Sequence, residues 1–198
     1  MKFAFILFAS LISLQAHAGI LFEPMVSYES GSNNIEFTTA GATMRGMSSD
    51  KSTNSAVNYG ARLGYLFSSG FWFAGDYSAA TSGKSKFDLH EDSFDRTAMG
   101  VDLGMWNGRW NFWLGYNISD KLEFTQATNT EKEYVSGTSM KVGIGYLLFN
   151  HIAFNIEYTY RNYTTGDEKS SDIAFSDFST YTKSFTQQSY SAGLSFPF

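Results

Sequence analysis

Polar and apolar residues alternate along most of the chain with a period of two. From position 22 onward, eight runs each present one apolar face. The first half holds Phe22, Pro24, Val26 and Tyr28; Val57, Tyr59, Ala61, Leu63, Tyr65 and Phe67; Phe71, Phe73, Gly75 and Tyr77; and Thr97, Met99, Val101, Leu103 and Met105. The second half holds Trp110, Phe112, Leu114, Tyr116 and Ile118; Thr138, Met140, Val142, Ile144, Tyr146 and Leu148; Ile152, Phe154, Ile156, Tyr158 and Tyr160; and Tyr190, Ala192, Leu194, Phe196 and Phe198. Successive strand residues point to opposite faces, so this pattern predicts eight half-buried strands. The other phase carries Glu23, Glu29, Arg62, Asp76, Arg96, Asp102, Lys121, Glu123, Lys141, Glu157 and Arg161 among glycines, interrupted by Met25, Trp72 and Trp113.

The connections alternate short and long. Ser68-Ser69-Gly70, Asn107-Gly108 and Phe149-Asn150-His151 read as tight turns, and Asn-Gly is a strong hairpin signal. Between them lie long stretches rich in Ser, Thr, Asn and Asp, about 31–56, 81–95, 125–137 and 164–185, expected as four long loops at one end. Pairing Phe67 with Phe71 sets Arg62 opposite Asp76; pairing Trp106 with Arg109 sets Met105 against Trp110; the third turn sets Tyr146 against Phe154.

Alternation alone leaves open which face meets which solvent. The polar phase is rich in glycine and nearly charge-balanced, which suits a narrow packed lumen. The aromatic-rich phase would overfill the interior of an eight-stranded barrel. The expected fold is therefore all-β: an eight-stranded antiparallel up-and-down transmembrane barrel, closed because an open edge would leave backbone groups unpaired in hydrocarbon. Phe22, Phe67, Phe71, Trp110, Phe196 and Phe198 at the short-turn end, and Tyr28, Tyr77, Phe124, Tyr158, Tyr160 and Tyr190 toward the other, read as two aromatic girdles.

Composition narrows the rest. The chain has 198 residues, no cysteine, a net charge of -5 and 18% aromatics. That excludes disulfides, thiolate metal sites and a catalytic thiol, and argues against nucleic acid as a partner. Met1-Lys2, the apolar run Phe3 to Leu14 and the small-x-small ending at Ala18 read as a signal peptide over 1–18, with the barrel over 19–198.

The signal peptide, the eight runs and the ending Tyr190-Ser-Ala-Gly-Leu-Ser-Phe-Pro-Phe198 resemble the small outer-membrane β-barrel proteins of the OmpA and OmpX type. The resemblance implies export to the outer membrane of a Gram-negative bacterium and contact with its lipid and lipopolysaccharide. It also implies recognition of Tyr190, Ala192, Leu194, Phe196 and Phe198 by the barrel-insertion machinery. The lumen charges Arg62, Asp76, Arg96, Asp102, Lys141, Glu157 and Arg161 are expected to form an ion-paired plug. Catalysis is not expected, since only His90 and His151 follow the signal segment and no nucleophile elbow is present. A triad from His90, Ser93 and Asp95 would sit on a loop, and the acidic run Asp88, His90, Glu91, Asp92 reads as solvated. No cofactor or metal is expected. The reading is a monomeric structural or surface-binding, adhesin-like barrel that binds any extracellular ligand through its loops; a lipid-modifying enzyme and a narrow pore are the alternatives.

Overall fold

The computed structural model describes residues 19–86, 91–125, 132–169, 174–175 and 178–198. The expected signal segment 1–18, and Asp88 and His90 of the acidic run, lie outside the described residues. The strands are β1 (Gly19–Phe37), β2 (Ser49–Leu66), β3 (Phe71–Lys86), β4 (Glu91–Asn107), β5 (Trp110–Thr125), β6 (Lys132–Phe149), β7 (Ile152–Lys169), the two-residue β8 (Ala174–Phe175) and β9 (Thr182–Ser195). Two short helices, α1 (Thr39–Arg45) and α2 (Phe178–Tyr181), lie in the first and last long connections. Every pairing is antiparallel and between chain neighbours, until β9 joins β7 on one side and β1 on the other. Eight long strands thus close into a barrel, and β8 clips onto the far end of β7.

The strands are longer than the alternating runs suggest. They hold 14 to 19 residues, whereas about 9–11 suffice to cross a bilayer. At a rise of roughly 3.3 Å and a tilt of about 40°, an 18-residue strand covers roughly 45 Å of barrel height. The stretches 31–56, 81–95, 125–137 and 164–185 are therefore mostly not loops. β1 runs to Phe37 and β2 starts at Ser49; β3 runs to Lys86 and β4 starts at Glu91; β5 runs to Thr125 and β6 starts at Lys132; β7 runs to Lys169 and β9 starts at Thr182. Ser, Thr and Asn make these segments look like loops, but here they sit in strands. Some face outward on the watery wall, as Ser32 and Thr53, and some face inward and are hydrogen-bonded to one another, as Asn33, Ser52, Asn54 and Ser85.

Two turns differ in detail from the sequence expectation. Around Gly108 the closing pair is Asn107 with Trp110, so Met105 faces Phe112 and not Trp110. Gly108 takes the first central position with φ 62, the place where a type II′ turn requires glycine. At the third turn Phe149 pairs with Ile152 after an irregularity at Leu147/Phe149, while Tyr146 still faces Phe154. The first turn keeps the expected geometry, with the Phe67 N–H donating to the Phe71 carbonyl at 2.8 Å.

β-Bulges change which side chains face inward. In β3 the register shifts between Ala80 and Gly83, and in β5 between Asn117 and Asp120. An extra residue swaps the faces of everything beyond it. Lys121 and Glu123, which share the polar phase in the sequence, consequently lie on the outer wall, while Asp120, Leu122 and Phe124 point into the lumen. Phe124 belongs to no outer girdle; it is 8% exposed and packed inside.

Toward the short turns the outer face is apolar: Leu63, Phe73, Leu103, Leu114, Val142 and Ile156 are all exposed. Toward the long connections it is polar, with Lys51, Thr53, Lys84, Ser93, Asp95, Thr97 and Lys121 exposed. The interior changes in the opposite sense.

Candidate functional site: the packed lumen

The inward side chains stack in layers. Nearest the short turns is an apolar layer of Leu21, Trp72, Ala74 and Trp113, with Leu66 and Trp106 packed against it. Indoles fit here because the facing positions lack side chains: a Cβ at Gly104 would collide with the Trp72 ring, and one at Gly143 with the Trp113 ring. Each indole N–H finds an acceptor, Trp72 Nε1 donating to Asn111 Oδ1 at 2.9 Å and Trp113 Nε1 to Glu157 Oε2 at 2.8 Å.

Above it lies the first ionic layer, centred on Arg62, which is 1% exposed. Its Nε donates to Asp102 Oδ2 at 2.6 Å, while its terminal nitrogens reach Glu23 at 3.3 Å and Glu157 at 3.4 Å. The guanidinium lies 4.5 Å from the Trp113 ring centre and 5.5 Å from that of Trp72, a cation–π contact worth about 2 kcal/mol when desolvated. Lys141 Nζ bridges Asp76 at 2.6 Å and Asp102 at 3.1 Å. Arg62 and Asp76 are direct register partners, as the first turn predicts, yet their closest approach is 3.8 Å. The side chains reach past their register partners because a closed barrel brings non-adjacent strands together across its axis. The layer joins the four carboxylates Glu23, Asp76, Asp102 and Glu157 to two cations.

The second ionic layer is balanced. Arg96 grips Glu29 with two nitrogens, at 2.7 and 2.9 Å, and Asn58 at 2.8 Å. Arg161 reaches Glu29 and Asp120, both at 3.1 Å, and Ser189 at 2.6 Å. Asp120 also accepts from Ser139 at 2.8 Å and from the Tyr163 hydroxyl at 3.3 Å. The candidate residues therefore fall into two groups: Arg62, Asp76, Asp102, Lys141 and Glu157 in one, Arg96 and Arg161 in the other. Among the described residues no salt bridge joins them. Asp120 is the participant that strict alternation misplaces, and the two polar residues Ser119-Asp120 in succession are its only sequence trace.

A second apolar layer seals the lumen beyond the charges. Phe94, Phe124, Phe185, Tyr163, Leu122 and Val135 pack with Ala56 and Ala80. The Phe124 and Phe185 rings stack at 6.5 Å, and Tyr163 meets Phe185 at 4.9 Å. Nearer the long connections Asn33 donates to Ser52 at 2.8 Å and Asn54 to Asn33 at 2.9 Å.

The C-terminal residues lie at the opposite rim. Tyr190 and Leu194 are exposed on the apolar outer face. Phe196 donates to Pro24 and Phe198 to Phe22, both at 2.9 Å, so the last residues continue the pairing with β1. These two N–H groups point toward β1. Pro197 lies between them, with its carbonyl facing the β6–β7 turn. There the His151 ring nitrogen lies 3.2 Å from the Pro197 carbonyl, and its ring stacks on Phe198 at 5.5 Å. Of the conceivable triad, Asp95 instead accepts the backbone N–H of Ser82 at 2.8 Å and pins the β3 bulge.

An apolar outer band, girdled by aromatic residues and wrapped around an ion-paired interior, defines a transmembrane β-barrel. The sequence from 4 to 198 matches the family model described as the outer membrane protein beta-barrel domain, and the chain belongs to that family. No curated protein sequence matches it. Among solved structures it is similar to the outer membrane protein OprG from Pseudomonas aeruginosa, with 15% identity, TM-score 0.55, and coverage of 94% of this chain and 99% of that one. It is similar also to Neisserial surface protein A, at 12% identity and TM-score 0.53 over 91% and 99% of the two chains. A third is Ail, the attachment invasion locus protein of Yersinia pestis, at 12% identity and TM-score 0.52 over 92% and 100%. The chain is thus an integral outer-membrane barrel protein.

Proposed function

We propose that the protein serves a structural and surface-binding role, displaying its upper barrel above the outer membrane and conducting no solute. The observation that supports this most is the layered lumen: two ion-paired layers lie between two apolar ones, so no continuous aqueous path runs through the described interior. The strands that rise beyond the lipid offer a rigid platform, and binding function tends to reside on such exposed parts of a rigid scaffold. Ail carries attachment in its name and shares this architecture; at that identity the likeness supports the platform and not a particular ligand.

In this reading residues 1–18 direct export, and Tyr190, Leu194, Phe196 and Phe198 engage the insertion machinery. The barrel then works as a monomer among lipopolysaccharide molecules, without a catalytic centre. Planar-bilayer recordings test the closed lumen: the refolded barrel gives no steady channel events, and a reproducible unitary conductance would refute the plug. Adherence to host-cell matrix of a non-adherent bacterium, with and without the expressed protein, tests the surface role; equal adherence would remove it.

A further inference from the structure

A small cavity, of about 30 Å³, lies between the two ionic layers. Three carboxylates line it, Glu29, Asp76 and Glu157, and three cations, Arg96, Lys141 and Arg161. Asn117 completes the set that matters here. Three polar atoms on these lining residues are buried without a hydrogen-bond partner: Asp76 Oδ1, Asn117 Oδ1 and Arg96 Nε. The residues that carry them are 2%, 3% and 3% exposed. Buried polar atoms of native proteins are nearly always satisfied, by protein or by ordered water.

We infer that this cavity is a binding site for one or two ordered water molecules, which join the two ionic layers into one hydrogen-bonded unit. Size, charge and valence all point to that occupant. One water needs roughly 10–15 Å³, so the space has room for two. The lining is balanced at three charges of each sign, so neither a cation nor an anion gains from entering, whereas a neutral molecule does. The orphan atoms are two acceptors and one donor. A water donates to Asp76 Oδ1 and Asn117 Oδ1 and accepts from Arg96 Nε, which satisfies all three. Asp76 belongs to the first layer, through Lys141. Arg96 and Asn117 belong to the second, through Glu29 and Ser139. The bridge therefore couples layers that have no direct salt bridge between them.

The competing occupant is a monovalent cation drawn by the carboxylate excess of the first layer, and the test separates the two. A crystal structure of the refolded barrel grown with thallium acetate is expected to show density within about 2.7–3.2 Å of Asp76 Oδ1 and Asn117 Oδ1, with no anomalous signal there. An anomalous thallium peak would replace the water site by a cation site. Absence of density, with the side chains turned to pair with each other, would abolish it.

Ser78 also lines the cavity, and Ser78→Thr adds one methyl group to it. Displacing bound water would strand three polar atoms, so the urea midpoint of unfolding should fall. Filling a dry void would instead raise it, and an unchanged or raised midpoint overturns the inference.

Discussion

The lower and upper halves of this barrel are built from the same strands with opposite polarity. Below the bulges, Leu63, Leu103 and Leu114 face outward while Arg62, Asp76 and Asp102 face inward. Above them Lys84, Lys121 and Ser93 face outward while Phe94, Leu122 and Phe124 face inward. The lower half is wetted by hydrocarbon, so its polar groups gather at the axis and neutralise one another. The upper half is wetted by water, so it buries its apolar groups as a soluble barrel does. A strand has no intrinsic inside; the solvent on its outer wall chooses which alternate set is buried. In β3 and β5 the inversion coincides with a bulge, the one local device that exchanges faces without ending the strand.

This contrast can be broken at several points. The largest effect is expected at Arg62, which holds three carboxylates at hydrogen-bond distance. Arg62→Ala leaves them around Lys141 alone and should cost at least the roughly 3–5 kcal/mol of a broken buried ion pair. The check is loss of the heat-modifiable folded band on a detergent gel.

In the upper half the comparable core change is Phe124→Ala, about 3–5 kcal/mol for a buried aromatic. Its effect should stay local, opening the upper barrel to protease while the lipid-embedded half keeps its folded gel mobility. Cleavage or unfolding of the whole barrel at once would mean that the halves form one cooperative unit.

Paired substitutions on the outer wall sharpen the boundary itself. Leu103→Lys should destabilise the barrel in vesicles by roughly 2–4 kcal/mol, the figure for a cation at the bilayer midplane. Thr97→Lys, six residues further up the same strand, should shift stability by no more than about 0.5 kcal/mol. Equal costs in urea titrations would move the water boundary above Thr97.

Asp76→Ala should come next, at about 2 kcal/mol, because Lys141 retains Asp102 at 3.1 Å. The smallest effect is expected at Ser82, a non-glycine residue with φ 55 at the β3 bulge. Ser82→Gly relieves that conformation and should gain no more than about 0.5 kcal/mol once the added freedom of the unfolded chain is offset. A clear loss would show that the serine side chain itself holds the bulge.

The expectation of eight strands rests on alternation, a local signal that survives in any register. The inside-out sense rests on glycine and balanced charge in one phase against aromatics in the other, and the pairing of Arg62 with Asp76 rests on the first turn. Alternation could not show that Arg62 bonds chiefly to Asp102, because β3 lies between β2 and β4 and their side chains meet only inside the lumen. Nor could it place Asp120, Lys121, Glu123 and Phe124, since one extra residue inverts everything after it and carries almost no mark in composition. The apparent loops misled for a related reason. Ser, Thr and Asn are loop-formers in isolation, but here the neighbouring strands supply hydrogen-bond partners for their backbones.

By itself the amino-acid order determined which residues alternate, where the chain must turn and that opposite charges share one face, because each depends on neighbours within a few positions. Only closure of the ring decided the two ionic layers, the aromatic seal above them and the cavity between, because each joins side chains from strands far apart in the chain.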